Sequence, residues 1–538
     1  MRVPVILLLF VGLAIAYECP KNGRLPESCS CKETEHGLDV HCHTSQISPI
    51  FKALENKTID ILRIDRCTDG IASIEDAPVI LVRNLTIQRC TFETISESVF
   101  ERLGSRLRVL NMERNTFKKF PKFGRLPILD KLEIGHNDLS NISSSTFAQL
   151  PRLKTLRMNY GNLRFFPTLA LLPLSGSLKT LDVSHNMFCD ISAILLPAFN
   201  LHLLDLSFNL IASVKIPGFW QMTSLHELRL NNNMITHLMT TTSDMTPKLK
   251  TLNLNDNLIS HISDDFFKGV KTVERLELSS NSIIQLPNIS TLSNLEYLNL
   301  DSNKIDSLGE GSFNGNPKLA IITIRNNRLS HISNSTFPIG NGITMLFINN
   351  NSISTIEKGA FGTLPHLVEL GLSSNNHIEI KNVTDPAMQK LLKLDLNSNR
   401  LQALNKNDFA GLVKLEYLDV RNTGLETIEN GTLTETMGTV LISGNHLQCD
   451  ERLEWFFKHV VKNNIKTFND DKENIICKAG NKLVEIRLSK FFTNLAEKIM
   501  FDLFVAVTES EKDETGCKTV KAHVEVANQW ITRVCEKP

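Results

Sequence analysis

The chain has 538 residues, of which 42% are hydrophobic, and its 58 basic side chains are balanced by 58 acidic ones. This composition excludes a collagenous, low-complexity or wholly disordered chain. Because the formal net charge is zero, we expect no global attraction to nucleic acid or to an anionic membrane, so that any partner is recognised locally.

Residues 1–16 have the pattern of a secretory signal peptide. Arg2 precedes a run of apolar residues that ends in Ala14-Ile15-Ala16, a small-x-small cleavage motif. The run is too short for a membrane-spanning helix, which needs about 20 such residues. A later apolar stretch, 491–507, is interrupted by charged side chains. The sequence therefore predicts a secreted, extracellular chain that begins at Tyr17 and is not inserted in a membrane.

Between residues 59 and 445 the chain repeats one frame, L-x-x-L-x-L-x-x-N, in about seventeen copies. When the first leucine is position one, position nine is asparagine in thirteen copies, and the mean spacing of about 23.6 residues lies inside the leucine-rich range. The L-x-L portion is typical of a short strand, and because one copy cannot bury its inward side chains alone, the copies must stack. The position-nine residues are numbers 67, 90, 115, 137, 161, 186, 209, 233, 257, 281, 303, 327, 351, 375, 399, 423 and 445.

Two features of the repeats predict how their interior is filled. The position-nine asparagine is expected to turn inward, where its amide can bond backbone groups that the bend would otherwise bury unpaired. Phenylalanines in the second half of many repeats predict an aromatic spine on the side opposite the strands. They are Phe100, Phe147, Phe267, Phe313, Phe337, Phe361 and Phe409.

This pattern resembles the extracellular leucine-rich repeat family with 24-residue repeats, over about residues 19–477. The resemblance implies an α/β-type solenoid with a curved parallel β-sheet on its concave face, loops and short helical turns on its convex face, and disulfide caps at both ends. Within the family, the chain looks most like secreted arthropod leucine-rich immune or matrix proteins. The motif is specific for the fold and weak for function, since one such fold serves many binding tasks.

Residues 17–58 precede the first repeat and contain four cysteines, Cys19, Cys29, Cys31 and Cys42. They look like the family's N-terminal cysteine cap, which covers the open apolar end of the stack. Four cysteines allow three pairings, so spacing alone does not select one. The resemblance implies the pairs Cys19–Cys31 and Cys29–Cys42.

Residues 446–480 look like the family's C-terminal cap, although the usual Cys-x-Cys start is replaced by Cys449-Asp450-Glu451. We prefer a Cys449–Cys477 bond, which leaves Cys517 and Cys535 to pair. Residues 481–538 form an extension without a counterpart in the family. We expect it to be partly helical and to pack on the cap, with a separate binding module as the alternative.

Three cysteines remain. Cys67 and Cys90 hold position nine of consecutive repeats, where neighbouring strands lie about 4.8 Å apart, so either a disulfide or two buried thiols is possible. Cys189 is the odd cysteine. We expect it to be buried, and the alternative is a bond to another molecule.

Eight N-x-S/T sequons predict a glycoprotein, given the signal peptide. Most fall in the convex segments, where a glycan leaves the strands free. Asn84 and Asn350 instead fall at concave positions, where a glycan would obstruct a partner. The sequons are at Asn56, Asn84, Asn141, Asn288, Asn334, Asn350, Asn382 and Asn430.

No catalytic or nucleotide-binding motif is present, and the sequence predicts neither enzymatic activity nor a cofactor nor a metal site. Asp182 and Asp205 occupy the same strand position in neighbouring repeats, but L-D-L is a common way to write these strands. We therefore interpret the two carboxylates as ordinary members of the repeat frame rather than as a catalytic pair.

The concave face is formed by positions three, five, seven and eight, which carry eleven basic and twelve acidic residues in total. This balance argues against heparin or DNA as the main ligand. Position eight of repeats four to seven reads His136, Tyr160, His185 and Phe208, an aromatic stripe typical of a protein-binding hot spot. Asp182, Asp205 and Leu203 flank the stripe. Met345 and Phe347 in repeat thirteen form a second apolar patch. The alternative is that both groups are unrelated surface residues.

The sequence thus predicts a secreted glycoprotein that binds a protein or glycoconjugate through the concave face, with innate immune recognition as one expected role. The alternative is a matrix, carrier or scaffold subunit, and an enzyme is the remote third class. Dimerisation with itself or with another chain is compatible with either role.

Overall fold

The computed structural model describes residues 17–21, 23–67, 73–117, 120–167, 169–189, 191, 200–214, 222–239, 246–376, 378–456, 459, 476–479 and 482–487. The predicted signal peptide and residues 488–538, with Cys517 and Cys535, lie outside these residues. The chain divides into two compact units, Met1–Val273 and Glu274–Pro538.

The first unit begins with an antiparallel hairpin, in which Cys29–Thr34 pairs with Gly37–Ser45 and Cys29 lies opposite Cys42. The second hairpin strand pairs in parallel with Thr58–Cys67, the first repeat strand, so the hairpin covers the end of the sheet. Disulfides join Cys19 to Cys31 and Cys29 to Cys42, which confirms both implied pairings.

A parallel sheet continues through the first unit, with one strand for each repeat. The middle residue of each short strand is buried, as with Leu156, Leu181 and Leu204, which lie in register on adjacent strands. The repeat strands are Thr58–Cys67, Leu81–Gln88, Val109–Asn111, Lys131–Glu133, Thr155–Arg157, Thr180–Asp182, Leu203–Asp205, Glu227–Arg229 and Thr251–Asn253.

The second unit has the same architecture. Its sheet is parallel, and the three strands that end the chain's described part, His446–Gln448, Ile476–Ala479 and Lys482–Arg487, form a separate small sheet. Leu453 and Phe456 are buried, and Trp455 Nε1 donates to the Ile428 carbonyl at 3.2 Å. The repeat strands are Arg275–Glu277, Tyr297–Asn299, Ile321–Thr323, Met345–Phe347, Glu369–Gly371, Lys393–Asp395, Tyr417–Asp419 and Thr439–Leu441.

Where the structure describes them, the return segments of the repeats contain only short elements. Two-residue strands pair across neighbouring repeats, for example His237–Leu238 with His261–Ile262 in the first unit. The other such strand pairs are Ser73–Ile74 with Thr94–Ile95, His331–Ile332 with Thr355–Ile356, and Ala403–Leu404 with Thr427–Ile428. The described α-helices are Ile47–Ala53, Glu97–Leu103 and Ile380–Val383. The 3₁₀ turns are Leu172–Leu174, Phe266–Val270 and Glu451–Leu453.

The position-nine asparagines turn inward as predicted. Asn186 shows the pattern: its Nδ2 donates to the carbonyls of Met158, Val183 and Ser184, and its Oδ1 accepts from the N–H groups of Gly161 and Leu163 at 2.9 and 3.0 Å. One side chain therefore satisfies the backbone of two turns, which explains why the frame selects asparagine here.

The predicted phenylalanine spine is also confirmed, because all seven side chains are buried to within 2% of full burial. In the second unit, Phe313 stacks on Phe337 at a ring-centroid distance of 5.5 Å and Phe337 approaches Phe361 at 6.2 Å. The spine fills the side of each turn that lies away from the sheet.

The remaining cysteines differ in their bonding state. Cys67 and Cys90 are bonded, which settles the open choice at the first two position-nine sites. Cys189 is free and exposed, so the expected burial is wrong: the buried residue of that segment is Phe188, and the next side chain points outward. Cys449 is disulfide-bonded, whereas the side chain of Cys477 lies outside the described residues, and their pairing stays a prediction.

Replacing Cys29 by serine is expected to lower the free energy of unfolding by about 2–5 kcal/mol and to reduce the secreted yield, since the disulfide holds the hairpin over the end of the sheet. Thermal melting and secreted yield measure both effects. Cys189→Ser is the matched control, because that thiol is free and exposed, and it should behave like the parent. Unchanged melting of Cys29→Ser would refute the role of the cap.

Candidate functional site

Position eight of the repeat has the same unusual backbone throughout. All seventeen position-eight residues have a left-handed conformation, with φ between 51° and 61° except at Gly444, where φ is 68°. Their N–H groups continue the ladder between repeats: Tyr160 donates to Ser184 O at 3.2 Å and His185 donates to Ser207 O at 3.0 Å. This turn directs position eight outward and the next residue inward.

Most repeats fill this position with residues that tolerate a positive φ. Ten of the seventeen residues are asparagine, aspartate, serine or glycine. The other seven are arginine, histidine, tyrosine or phenylalanine, and they occupy the first seven repeats without interruption. They are Arg66, Arg89, Arg114, His136, Tyr160, His185 and Phe208.

Four of these side chains form what we call the aromatic column: His136, Tyr160, His185 and Phe208. Successive ring centroids are 4.3, 4.0 and 4.0 Å apart, and successive ring planes differ by 14°, 10° and 13°. The structure therefore brings together all four residues of the stripe predicted from the sequence, in one uninterrupted stack.

The stacking decides which part of each ring a ligand can reach. Because the rings lie face to face, the inner faces cover one another and the edges point to solvent; Tyr160 is 45% exposed and Phe208 is 42% exposed. Ring edges carry the positive end of the aromatic quadrupole. The column therefore offers polar ring atoms and weakly positive ring edges to a ligand.

Bulky residues are unfavourable in this backbone. A left-handed conformation costs an ordinary residue about 1–2 kcal/mol, while each stacked pair returns about 0.5–1.5 kcal/mol. Ten other repeats make the same turn with small polar residues, so the turn does not require aromatic side chains. Bulky side chains that the fold does not require, held in a backbone conformation that disfavours them, mark candidate functional positions.

The two flanking aspartates have structural partners. Asp182 Oδ1 accepts from Ser184 N and Oγ at 3.1 and 2.7 Å, and Asp205 Oδ1 accepts from Ser207 N and Oγ at 3.0 and 2.6 Å. Asp205 Oδ2 also accepts a hydrogen bond from Arg229 Nη1 at 3.1 Å. These carboxylates shape the turns that carry the column, and this arrangement supports the interpretation that they are not a catalytic pair.

The surroundings of both imidazoles of the column favour the neutral ring. Burial lowers the pKa of His136, and the charges of Arg114 and His185 add to the effect. Burial also lowers the pKa of His185, although the nearby Asp205 and Asp182 oppose it. A neutral ring stacks on tyrosine or phenylalanine without desolvating a charge, which suits the close spacing of the column.

The second predicted patch is less apolar than the sequence suggests. Met345 and Phe347 are half-buried, and the Arg325 guanidinium lies 4.3 Å from the centre of the Phe347 ring. Phe347 borders a recess of about 550 Å³ whose other walls include Lys393 and Asp419. This patch lies in the second unit and the aromatic column in the first, so we treat them as separate candidates.

One apolar feature was missed by the sequence analysis. Position ten of repeats seven to nine carries Leu210, Met234 and Leu258, which are 42%, 48% and 55% exposed. We call these three residues the position-ten ridge. Leu210 follows Phe208 by two residues, so the ridge begins beside the end of the column. Reading position ten down the repeats would have shown it, because the later repeats place only serine, lysine, arginine, asparagine, glycine or histidine there.

The sequons divide by exposure. Asn350 is exposed at position eight, whereas Asn84 is half-buried on a strand and lines a recess of about 690 Å³ beside Arg106 and Arg108. Asn382 is also half-buried. The exposed ones are Asn56, Asn141, Asn288, Asn334, Asn350 and Asn430.

Site-resolved glycopeptide mapping should find Asn141, Asn334 and Asn430 occupied, and removal of these glycans should leave partner binding nearly unchanged, because they lie away from the strands. A glycan on Asn84 or Asn350 should keep a large ligand off that stretch of the sheet. Full occupancy of both, together with a partner footprint that covers both, would contradict this shielding.

No cluster of three or more histidine, cysteine or acidic side chains that could hold a metal ion occurs in the part of the chain that the structure describes. Within the same residues, no helix is long and apolar enough to cross a bilayer.

Comparison with known proteins agrees with this architecture. A leucine-rich repeat family model matches residues 247–305, 317–378 and 380–425. Lumican of Coturnix japonica is 30% identical over 37% of this chain and 56% of its own length, and osteomodulin of Bos taurus is 29% identical over 40% of each chain. Leucine-rich repeat-containing protein egg-6 of Caenorhabditis elegans is 29% identical over 24% of this chain. The chain spans between 13% and 56% of the lengths of these relatives.

Solved structures share the fold. A chain from the Drosophila Toll–Spatzle complex superposes with a TM-score of 0.57 at 16% identity, covering 86% of this chain and 74% of that one. A leucine-rich repeat protein of Leptospira interrogans superposes with a TM-score of 0.52 at 22% identity, covering 66% and 88%. Together with the stacked parallel strands and the inward asparagines, these matches identify the chain as a leucine-rich repeat protein.

Proposed function

We propose that this chain is an extracellular, non-catalytic binding protein that captures a protein ligand on the sheet face of its first unit, with the aromatic column at the centre of the contact. The column carries the proposal, because Tyr160 and Phe208 occupy a backbone conformation that disfavours bulky side chains and that later repeats fill with small polar residues.

The exposure of the column favours a protein over a glycoconjugate. A sugar ring packs flat against the face of an aromatic side chain, and here the inner faces are covered by neighbouring rings at 4.0–4.3 Å. Tyrosine and other aromatic side chains are enriched among the residues that dominate protein interfaces. The adjoining position-ten ridge adds apolar surface of the kind that protein partners bury.

The extracellular location is part of this proposal. Three disulfides lie among the described residues with both partners assigned, and such bonds form and persist in oxidising compartments. The predicted signal peptide and eight sequons agree with the same route. A role in innate immunity and a role as a matrix or carrier subunit both remain predictions within this proposal.

The test is affinity capture of partners from native extracellular fluid with two baits, the parent chain and a variant in which His136, Tyr160, His185 and Phe208 are all asparagine. We expect a protein that the parent retains and the variant does not. Asparagine keeps the left-handed turn, as it does at Asn232, so both baits should fold. Equal recovery of every protein by both baits would overturn the proposed site.

A further inference from the structure

We propose that the aromatic column is one half of a longer site, in which Arg66, Arg89 and Arg114 bind the acidic end of an extended segment of the partner protein and the column binds its apolar end. We call the seven side chains the position-eight row. This inference rests on the proposed function and specifies the chemistry of its ligand.

The three arginines share the geometry of the column. They occupy position eight of repeats one to three, with φ values of 61°, 55° and 59°, and His136 holds the same position in repeat four. The strands before these positions pair in parallel without interruption. Because adjacent strands lie about 4.8 Å apart, the row spans about 29 Å over its six intervals, the length of about nine extended residues.

The guanidinium groups of the three arginines are accessible to a ligand. All three are exposed. Arg89 lies 3.1 Å from Asp65, whereas Arg66 and Arg114 have no ion-pair partner within the described part of the chain. Guanidinium groups bind carboxylates with two parallel hydrogen bonds, which makes acidic side chains their natural ligands.

The two halves of the row have the same electrostatic sign. The charge of Arg114 reaches the first ring of the column, where it contributes to the lowered pKa of His136. Beyond that ring, the exposed edges of Tyr160 and Phe208 carry the positive end of the ring quadrupole. Carboxylates of a ligand would therefore be favoured beside the arginines, and its backbone carbonyl oxygens beside the exposed ring edges.

The surroundings of the row favour a narrow polypeptide over a sulfated glycan. Asp65 at position seven and Asp182 at position five are half-buried beside the row, where they would repel a broad polyanion. The position-ten ridge adjoins the far end and calls for apolar side chains, which a sulfated glycan does not have. The ligand segment is thus acidic over repeats one to three and apolar from repeat four onward, along the aromatic column to the position-ten ridge.

The test uses a fluorescein-labelled synthetic peptide of twelve residues, with glutamates in one half and leucine and phenylalanine in the other. Fluorescence anisotropy compares it with a scrambled peptide of the same composition and with a heparin hexasaccharide. We expect the ordered peptide to bind the parent at least tenfold more tightly than the scrambled one, with an affinity that falls as salt is raised.

The variant R66N/R89N/R114N should lose at least tenfold in affinity for the ordered peptide, and most of the salt dependence. Asparagine is chosen because the chain already uses it at position eight. The matched control R125Q/R152Q/R164Q removes the same charge from exposed sites off the row and should bind like the parent. Circular dichroism checks that both fold.

Three results would overturn the inference: no peptide binding by the parent, equal binding by the row variant, or heparin binding that is tighter than peptide binding and depends on the same arginines. The proposed function is judged separately. If the captured partner is lost with the column variant but retained with R66N/R89N/R114N, the column is the site and the arginine half is wrong.

Discussion

Replacing Tyr160 and Phe208 together by asparagine is expected to weaken binding of the protein partner at least about thirtyfold, while thermal melting stays close to that of the parent. An aromatic side chain at the centre of an interface commonly contributes about 2 kcal/mol or more, which corresponds to that factor for one ring alone. Stability should change by about 1 kcal/mol at most, because the stacking that is lost is offset by relief of the left-handed backbone.

The control for this result is Phe165→Asn with Leu169→Asn, which removes two exposed apolar side chains of the first unit that lie off the sheet face. Calorimetry of the purified complex measures the affinity of both variants. Parent-like affinity of the Tyr160 and Phe208 variant would move the site to the Met345 and Phe347 patch or off the sheet. A collapse of secretion would show that the rings are structural.

Replacing Asn186 by alanine is expected to lower the free energy of unfolding by about 3–5 kcal/mol. The substitution leaves the N–H groups of Gly161 and Leu163 without their acceptor, and the carbonyls of Met158 and Val183 without their donor. Each buried backbone group that loses its partner costs about 1–3 kcal/mol, with partial relief where water can enter. Urea unfolding followed by circular dichroism measures the change.

Asn159→Ala is the matched control for Asn186→Ala. It is the same chemical change at a half-buried position of the preceding repeat, but Asn159 Oδ1 is buried without a hydrogen-bond partner. Its removal should therefore be neutral or slightly stabilising. Similar losses in both variants would mean that the asparagines act through packing volume rather than through their hydrogen bonds.

The sequence predicts the repeat fold well, because the signals are local and numerous. Each turn carries its own buried leucines and its own inward side chain at position nine. An ambiguous residue in one repeat can therefore be assigned from the same position in the neighbouring repeats. The same reasoning failed at Cys189, where one residue of offset separates the buried Phe188 from an exposed thiol. The position of a side chain just after the frame ends is set by the turn, and the turn varies between repeats.

The sequence predicted which residues form the candidate site but not how their rings are arranged. Position eight alone identified His136, Tyr160, His185 and Phe208, but the face-to-face stacking depends on the left-handed backbone, which the residue types conceal: aromatic residues rarely adopt it. The charge of the whole concave face is balanced, with eleven basic and twelve acidic residues, and this total conceals the local arrangement. Only reading one position at a time shows Arg66, Arg89 and Arg114 in line with the rings.

The left-handed turn at position eight also separates recognition from folding. Its backbone is the same whether the residue is Phe208, Asp256 or Gly444, and the ladder hydrogen bonds do not involve the side chain. A change at this position alters the outer surface and leaves the stacked interior as it was. Each repeat thus contributes one outward side chain whose replacement changes only the local preference for the left-handed turn. A binder for a different ligand could therefore be designed by substitution at these positions alone, with no compensating change in the core.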